Sequence, residues 1–433
     1  MNVFFIGYYD DFSRFFLTLK HSFKKYDKDI NVNYYSLYFS GFLYWLIRSR
    51  GVTLISFKAM FLSFIKKRQY NKVDDNYRGI DVGLMIDYHV KLGVNPNNLK
   101  RQACAYVDVL FNEFEKLDPK IVICSSDSRL IAEVLKGIAK KYNTQLFFFE
   151  QGPYGTTVID KFGVNANSSI RGFVSGENRI IDRQVSEINE FPKRENKLKY
   201  KRFFLYRLCD FFLERILNPI DFYPVDITKS TSFNLIKPTS NISKNNLSNS
   251  KKRKFLLILQ VPFDVNMVNH SPFFSNHYEI VKSVSEALPE NSELIIREHP
   301  LFYNKYELDL YNYIDKHSLI LDSSTPLDEA INNCDVVIVN NSTVGLEAIS
   351  LNMPTVVLGD SFYDSSEICI KLDSIARLNI CLRQALEFKI DKSKKIGFLD
   401  KYYFDYLFEG HFRDNDLTCL CEKISKFCLK DKK

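Results

Sequence analysis

The feature that most limits the fold of this chain is a rhythm that occurs twice. Short apolar runs, each followed by a helical pattern, alternate along two separate blocks. The clearest case is CDVVIVNNSTVGLEAISLNMPTVVLGD, residues 334–360. Val336 to Val339 is too short for a buried helix and reads as a strand. Val344 to Leu351 reads as a helix, and Thr355 to Leu358 as the next strand. Alternation of this kind requires parallel strands joined by helical crossovers, with helices covering the sheet faces.

The first block predicts strands at Val3–Ile6, Asn31–Ser36, Lys120–Cys124 and Gln145–Phe149. Helices are expected at Phe12–Lys24, Lys100–Leu117 and Arg129–Tyr142, the last capped by Ser125-Ser126-Asp127-Ser128. The second block predicts strands at Phe255–Leu259, Glu293–Arg297, Leu319–Leu321, Val336–Val339 and Thr355–Leu358. Its helices fall at Asn276–Leu288, Pro326–Asn332 and Val344–Leu351. A basic, aromatic helix at Lys197–Leu217 and a Ser/Asn/Lys-rich linker at residues 228–253 separate the blocks. The expected division is therefore an N-terminal Rossmann-like acceptor domain at 1–190 and a helix with linker at 191–253. A C-terminal Rossmann-like donor domain follows at 254–381. Helices at 382–433 are expected to pack back on the first domain. Two such domains in 433 residues describe a GT-B-like α/β architecture, with a ligand crevice outside the carboxyl ends of the strands.

Composition narrows the function. The chain is 45% hydrophobic, enough for sizeable cores, with 37 Phe and 25 Tyr. The net charge of +7 fits a small anionic ligand or a membrane surface, and no stretch is basic enough for nucleic acid. The nine cysteines show no metal-like grouping beyond Cys419-x-Cys421 and read as free thiols of a reducing cytoplasm. MNVFFIGYYDD reaches Asp10 and Asp11 too early for a signal peptide and reads as a first strand. No uncharged apolar run is long enough to cross a membrane. Residues 34–67 are aromatic and end in basic residues. They read first as core helices, and second as an interfacial segment dipping Phe42, Trp45 and Phe64 into lipid.

Four strand ends carry candidate chemistry. Glu150 ends one strand before Gly152-Pro153 turns the chain, and a carboxylate there suits general acid or base work. A second strand ends at Gln260, with Asp264 in the loop beyond Pro262. Asp264 could serve as nucleophile, cation ligand or sugar-hydroxyl acceptor, or be a solvated turn residue. A third strand ends in Arg297-Glu298-His299-Pro300, where Arg297 and His299 suit a phosphate. The fourth ends in Asn340-Asn341-Ser342-Thr343. There a hydroxyl could cap the helix, its amides could hold an anion, and Gly345 would allow close approach. Asp322-Ser323-Ser324-Thr325 is either a second phosphate site or a plain capping turn. GxxxxGK[ST] and GxGxxG are absent, and Asp27-Lys28-Asp29, the DxD spacing, precedes a strand. A metal-independent mechanism without cofactor is expected, held by side chains and a helix dipole.

Together these segments resemble the bacterial capsule polysaccharide biosynthesis family, whose characterised members are β-Kdo glycosyltransferases. The likeness lies in GYYDDFSRFFLTL, EQGPYGTTVIDKFGVNANSS, LQVPFDVNMVNHSPF, REHP and NNSTVGLEAISLNMPTVVLGDSFYD. Asn266 departs from the family's usual Gln, Gln151 from its usual residue, and the linker is longer. The resemblance implies CMP-β-Kdo as nucleotide-sugar donor, no metal, and retention by double displacement. It implies Asp264 as nucleophile and Glu150 as acid/base. Arg297 and His299 would hold the Kdo carboxylate or the CMP phosphate. Gln260, Asn341, Ser342, Thr343 and Gly345 complete the donor side. Gly7, Gly152 and Asn165 are expected on the acceptor side of the crevice. An anionic glycan or glycolipid acceptor and a cytoplasmic location follow, with the inner-membrane surface as a further partner. A transferase using CMP-sialic acid or another nucleotide sugar stands as the alternative, as does a non-catalytic capsule assembly or export partner.

Overall fold

In a computed structural model that describes residues 1–173, 198–228, 252–262 and 264–430, each apolar run becomes a strand. In chain order these are β1 (Asn2–Gly7), β2 (Asn31–Ser36), β3 (Val52–Leu54), β4 (Asn76–Tyr77), β5 (Ile80–Asp81), β6 (Pro119–Ser125), β7 (Gln145–Gln151) and β8 (Thr157–Asp160). The second block supplies β9 (Arg253–Ile258), β10 (Ser292–Arg297), β11 (Ile320–Leu321), β12 (Val336–Val339), β13 (Thr355–Val357) and β14 (Ile370–Lys371), and β15 (Leu407–Phe408) follows. Of the expected linker, residues 229–251 lie outside the described residues.

The chain forms two compact units. Residues 1–164, 198–228 and 403–430 make one, and 165–173, 252–262 and 264–402 the other. The first unit holds a sheet in the order β15-β8-β7-β6-β1-β2-β3, and the second a sheet in the order β11-β10-β9-β12-β13-β14. Every pairing in the second sheet is parallel, as the alternation requires. The first sheet departs from that expectation at one edge. β8 runs antiparallel to β7, and β15 antiparallel to β8. A tight turn at Gly152, rather than a helical crossover, joins β7 to β8, and only an antiparallel partner can follow so short a connection.

The high phenylalanine content serves the first core. Phe5, Phe15, Phe16, Phe23, Phe147, Phe149 and Phe412 are buried together against Trp45 and Tyr34. Each fully buried aromatic contributes about 1.5–3 kcal/mol. Trp45 stacks on Tyr34 at 4.5 Å and donates its indole N–H to the Arg50 carbonyl, so it belongs to the core as the first reading of residues 34–67 expects. The helix Thr418–Leu429 joins the same cluster through Leu420, Cys421, Ile424 and Cys428. The second core gathers Leu257, Ile296, Ile338 and Val356 from the strands with Ile280, Val284 and Leu310 from the helices.

Asp10 and Asp11 open the helix Asp10–Tyr26, where acidic residues complement the helix dipole. Both are fully buried and hold distant chain. Asp10 accepts from Tyr200 Oη and from the Phe203 amide. Asp11 Oδ2 accepts from Arg202 Nε at 2.9 Å and Arg413 Nε at 2.7 Å. Replacing a buried carboxylate that pairs two cations leaves their charge uncompensated. Asp11→Ala should therefore lower unfolding free energy by about 3 kcal/mol, with Asp11→Asn intermediate because its amide oxygen still accepts. Urea denaturation followed by circular dichroism checks this. A loss within error of zero for both variants would remove Asp11 as a tie between these segments.

Candidate functional site

In the second unit β9 comes first in the sequence but sits in the middle of the sheet. The chain builds outward through β10 and β11, then returns across β9 to build β12, β13 and β14. Loops leaving β9 and β12 therefore diverge, and ligands bind outside the carboxyl ends of strands at such a switch point. Gln260 and Asp264 follow β9, Asn340 and Asn341 follow β12, and Arg297 ends β10 beside them. The sequence-based candidates of this unit thus gather at one sheet edge.

Arg297 is 8% exposed. Its Nη1 donates to the Thr325 carbonyl at 2.6 Å, and among the described residues it pairs with no carboxylate. A buried guanidinium without an acid partner is costly unless an anion neutralises it. The Gln260 side chain is 7% exposed, and neither its amide nitrogen nor its oxygen has a partner among the described residues. Its backbone carbonyl takes the Tyr306 hydroxyl, which holds the strand end in place. Leu259 N donates to the Arg297 carbonyl, so the two strand ends are stitched side by side.

His299 Nδ1 accepts from the Leu301 amide at 3.3 Å. The ring proton therefore sits on Nε2, available to an acceptor. Burial pushes the His299 imidazole below its ordinary value, and the Asp264 carboxylate opposes that. The structure thus brings Asp264 and His299 into one electrostatic neighbourhood. Asp264 starts the short helix Val265–Asn269 and accepts from Asn266 Nδ2 at 3.2 Å.

The polar cluster after β12 has a different role from the expected one. Asn341 Nδ2 donates to the carbonyls of Asn266 and His270, so Asn341 ties the loop that carries Asp264 to the end of β12. Its Oδ1 is buried without a partner. Asn340 is buried among Met267, Ser271 and Gly359. The helix Val344–Ser350 has only seven residues, and its first turn closes on itself. The Val344 amide meets Ser342 Oγ, the Gly345 amide the Ser342 carbonyl, and the Leu346 amide the Thr343 carbonyl. The amides near Gly345 expected to hold an anion are therefore already satisfied. Thr343 is exposed and its side chain caps nothing. Gly345 is explained by packing, because a Cβ there would strike the Tyr363 hydroxyl that donates to the Ser342 carbonyl. Asp322 likewise closes its own turn, accepting from the amides and hydroxyls of Ser324 and Thr325. Burial alone would raise its carboxyl, but those bonds hold it below the ordinary value.

In the first unit Glu150 lies inside β7, opposite Val158 of β8, and accepts from the Gln151 amide. The expected caps do not form at the helix Leu130–Tyr142. Its N-cap is Arg129, without a side-chain bond, because Asp127 instead accepts from Ser128 Oγ and the Val164 amide. Gly7 and Gly152 are likewise explained by packing. A Cβ at Gly7 would sit 2.9 Å from Phe16, and one at Gly152 would strike Thr156 Oγ1. Asn165, grouped with the second unit, takes the left-handed φ of 52° that starts a short 3-10 turn. Sequence reasoning passed over Tyr8 and Arg129, which follow β1 and β6 at the switch point of this sheet, and His89 and Asp226, on which the Arg129 charge acts. His89 and Asp226 are far apart in the chain, and no local pattern marks them.

Residues 120–377 match the model of the family described as capsule polysaccharide biosynthesis protein. Protein FixF of Sinorhizobium fredii strain NGR234 is 30% identical over 191 residues, covering 40% of this chain and 45% of that protein. The capsule polysaccharide modification protein LipB of Neisseria meningitidis serogroup A is 25% identical over 269 residues, covering 56% of this chain and 64% of that protein. The chain thus spans less than two thirds of either curated relative. Among solved structures, Thermosulfurimonas dismutans KpsC, a beta Kdo 2,7 transferase, aligns over 99% of both chains with 12% identity and a TM-score of 0.42.

Two outcomes follow from this geometry. Asn341→Ala should cost about 2 kcal/mol in urea denaturation, for two lost bonds to buried carbonyls. Limited proteolysis should then cut near residues 264–270 faster than in the parent. The His299 imidazole, followed by NMR, should titrate below its ordinary 6.5. Asp264→Asn should move that midpoint further down, since the carboxylate charge favours the protonated ring. An unmoved midpoint would separate the two side chains.

Proposed function

The chain belongs to the capsule polysaccharide biosynthesis family, and on that premise we propose that it is a retaining glycosyltransferase that moves Kdo from CMP-β-Kdo to a glycan or glycolipid acceptor. The observation that carries this reading is Arg297, a buried cation with no carboxylate partner among the described residues, next to the unpartnered Gln260 amide. Such a site wants a ligand that brings its own negative charge and polar edges. CMP-Kdo offers one phosphate and one sugar carboxylate. A monophosphate leaving group needs less positive charge than a diphosphate, so one Arg and the Nε2–H of His299 can stabilise it without a metal ion.

In the proposed reaction, the Asp264 carboxylate attacks the anomeric carbon of Kdo as the C–O bond to CMP breaks. The electron pair leaves with the phosphate, which Arg297 and His299 hold. An acceptor hydroxyl then gives its proton to Glu150 and attacks the same carbon, releasing Asp264. Two inversions retain configuration. Asn341 contributes by position, since it fixes the loop on which Asp264 stands. The side-chain hydroxyls of Ser342 and Thr343 add contacts to the CMP phosphate.

The acceptor side includes a membrane surface. Among the described residues no helix is long and apolar enough to cross a bilayer. Yet Ile47, Phe61, Phe64, Phe204 and Phe212 are each more than half exposed on helices of the first unit. The helix Phe204–Leu217 lies against Phe39–Arg48, with Arg48 donating to Tyr206 Oη, and buries only Asp210. Lys67 and Arg68, just after the helix that carries Phe61 and Phe64, and Arg215, on the helix that carries Phe204 and Phe212, are exposed as well. Aromatic side chains with flanking cations suit the interface of an anionic leaflet.

The test is incubation of the purified protein with enzymatically generated CMP-Kdo in EDTA, read by CMP release and intact-protein mass spectrometry. The parent should release CMP. Asp264→Asn should lose at least about 10³-fold in rate, as expected for a missing nucleophile. Arg297→Met should lose about 10²-fold, the scale of one electrostatic stabiliser. Release from CMP-sialic acid but not CMP-Kdo would replace the donor, and no turnover with either would leave an assembly role. In flotation with anionic liposomes, Phe64→Ser with Phe212→Ser should weaken binding at least about tenfold, since one buried Phe is worth about 1.5–3 kcal/mol.

A further inference from the structure

The sheet of the first unit has its own switch point. β2 and β3 build to one side of β1, and the chain then returns to pair β6 with the other. Tyr8 follows β1 and Arg129 follows β6, so both stand where the loops part. The reading of Asp264 and Arg297 does not use this place.

Arg129 is half-buried and, among the described residues, donates no hydrogen bond and forms no ion pair. The Tyr88 ring lies 5.2 Å from its guanidinium carbon. Its charge acts on Tyr8, Tyr9, Tyr38 and Tyr88, and on His89 and Asp226. His89 is 3% exposed, and its Nε2 lies 3.1 Å from the Asp226 carbonyl. A carbonyl only accepts, so Nε2 carries the proton and Nδ1 presents a lone pair, which has no partner among the described residues. Burial, and then the charge of Arg129, pushes His89 down to about 3, so the ring is neutral. Asp226 Oδ2 accepts from Tyr106 Oη at 2.7 Å, while Oδ1 has no partner among the described residues. The Tyr8 hydroxyl is also buried and unpartnered among the described residues.

One cation, one hydroxyl and two acceptors are therefore left unsatisfied among the described residues, and the charge of Arg129 acts on the other three groups. Each buried unsatisfied group costs about 1–3 kcal/mol. A fold tolerates a set of them where a ligand completes the bonding. The donors call for an oxyanion, and the two acceptors for a hydroxyl on the same molecule. We propose that Arg129 and Tyr8 bind a carboxylate or phosphate of a hydroxylated ligand, whose hydroxyl is taken by His89 Nδ1 and Asp226 Oδ1. Glu150 also acts on Tyr8. The bound group is thus the anionic end of the acceptor, a step that rests on the transferase reading, whereas the binding itself does not.

Sodium D-glucuronate and glycerol 3-phosphate, titrated separately into the full chain, separate a sugar acid from a headgroup-type phosphate, with glycerol as the uncharged control. Binding is read by calorimetry, and by phenylglyoxal labelling of Arg129 followed by peptide mass spectrometry. One of the two anions should bind and protect Arg129, and glycerol should not. Arg129→Met should weaken that binding at least about tenfold, the loss of one charge-assisted hydrogen bond. Tyr8→Phe, which removes only a hydroxyl, should weaken it less. The labelling needs no variant, so a poorly folded Arg129→Met leaves the test intact. Failure of both anions to protect Arg129 in the parent, or equal binding by a folded Arg129→Met, overturns the site. Protection without CMP release from CMP-Kdo would keep the site and discard the transferase reading.

Discussion

A parallel strand that pairs on both sides organises each unit. β1 lies between β2 and β6, and β9 between β10 and β12. Parallel neighbours cannot be joined by a short turn, so the chain must leave, cross a face and return. When it builds one side first and then the other, the loops beyond the two central strands point away from each other. The gap is a consequence of connectivity, and side chains at the strand ends line it. Polar groups left with bonding capacity among the described residues are found at both such gaps: the Gln260 amide and Arg297, which meets a carbonyl but no acid, at one, and Tyr8 and Arg129 at the other.

Around that gap the second unit divides its polar residues into two kinds. Asn340, Asn341, Glu298 and Asp322 spend their hydrogen bonds on holding loops. Glu298 accepts from Tyr311 Oη, the Asn304 amide and Ser323 Oγ, which braces the segment after β10. Gln260 and Arg297 are buried too, but Gln260 has neither amide atom paired among the described residues and Arg297 meets only a carbonyl, whereas of the first group only Asn341 Oδ1 is left over. The contrast separates structural polarity from ligand-facing polarity without reference to residue type. Polar strand ends look alike in sequence, and only the tally of hydrogen bonds tells them apart.

The strands at Val3–Ile6, Lys120–Cys124, Val336–Val339 and Thr355–Leu358 were legible because a buried parallel strand is a local apolar run. β3, β8 and β15 were not. Each is short, and its identity comes from a partner elsewhere, as when Leu407 pairs with Val158. Among site residues, Arg297, His299 and Gln260 were legible as strand ends. The packing reason for Gly345 was not legible, because Tyr363 is 18 positions away and its hydroxyl occupies the space that the missing side chain leaves. His89, Arg129 and Asp226 escaped notice for the same reason: the bond from His89 to the Asp226 carbonyl spans 137 positions.

What the sequence alone determined is the class of structure and the chemical menu. Periodicity sets strands and helices through local backbone and burial preferences, and the strand ends present carboxylate, guanidinium, imidazole and amide groups. What only the tertiary structure decided is which of those groups are already satisfied. Asn341 is committed to Asn266 and His270, Asp11 to Arg202 and Arg413, and Arg297 to no acid among the described residues. That division depends on which chain segments meet in space. A hydrogen bond is directional and short, so whether a polar group has a partner is a property of folded geometry and not of composition.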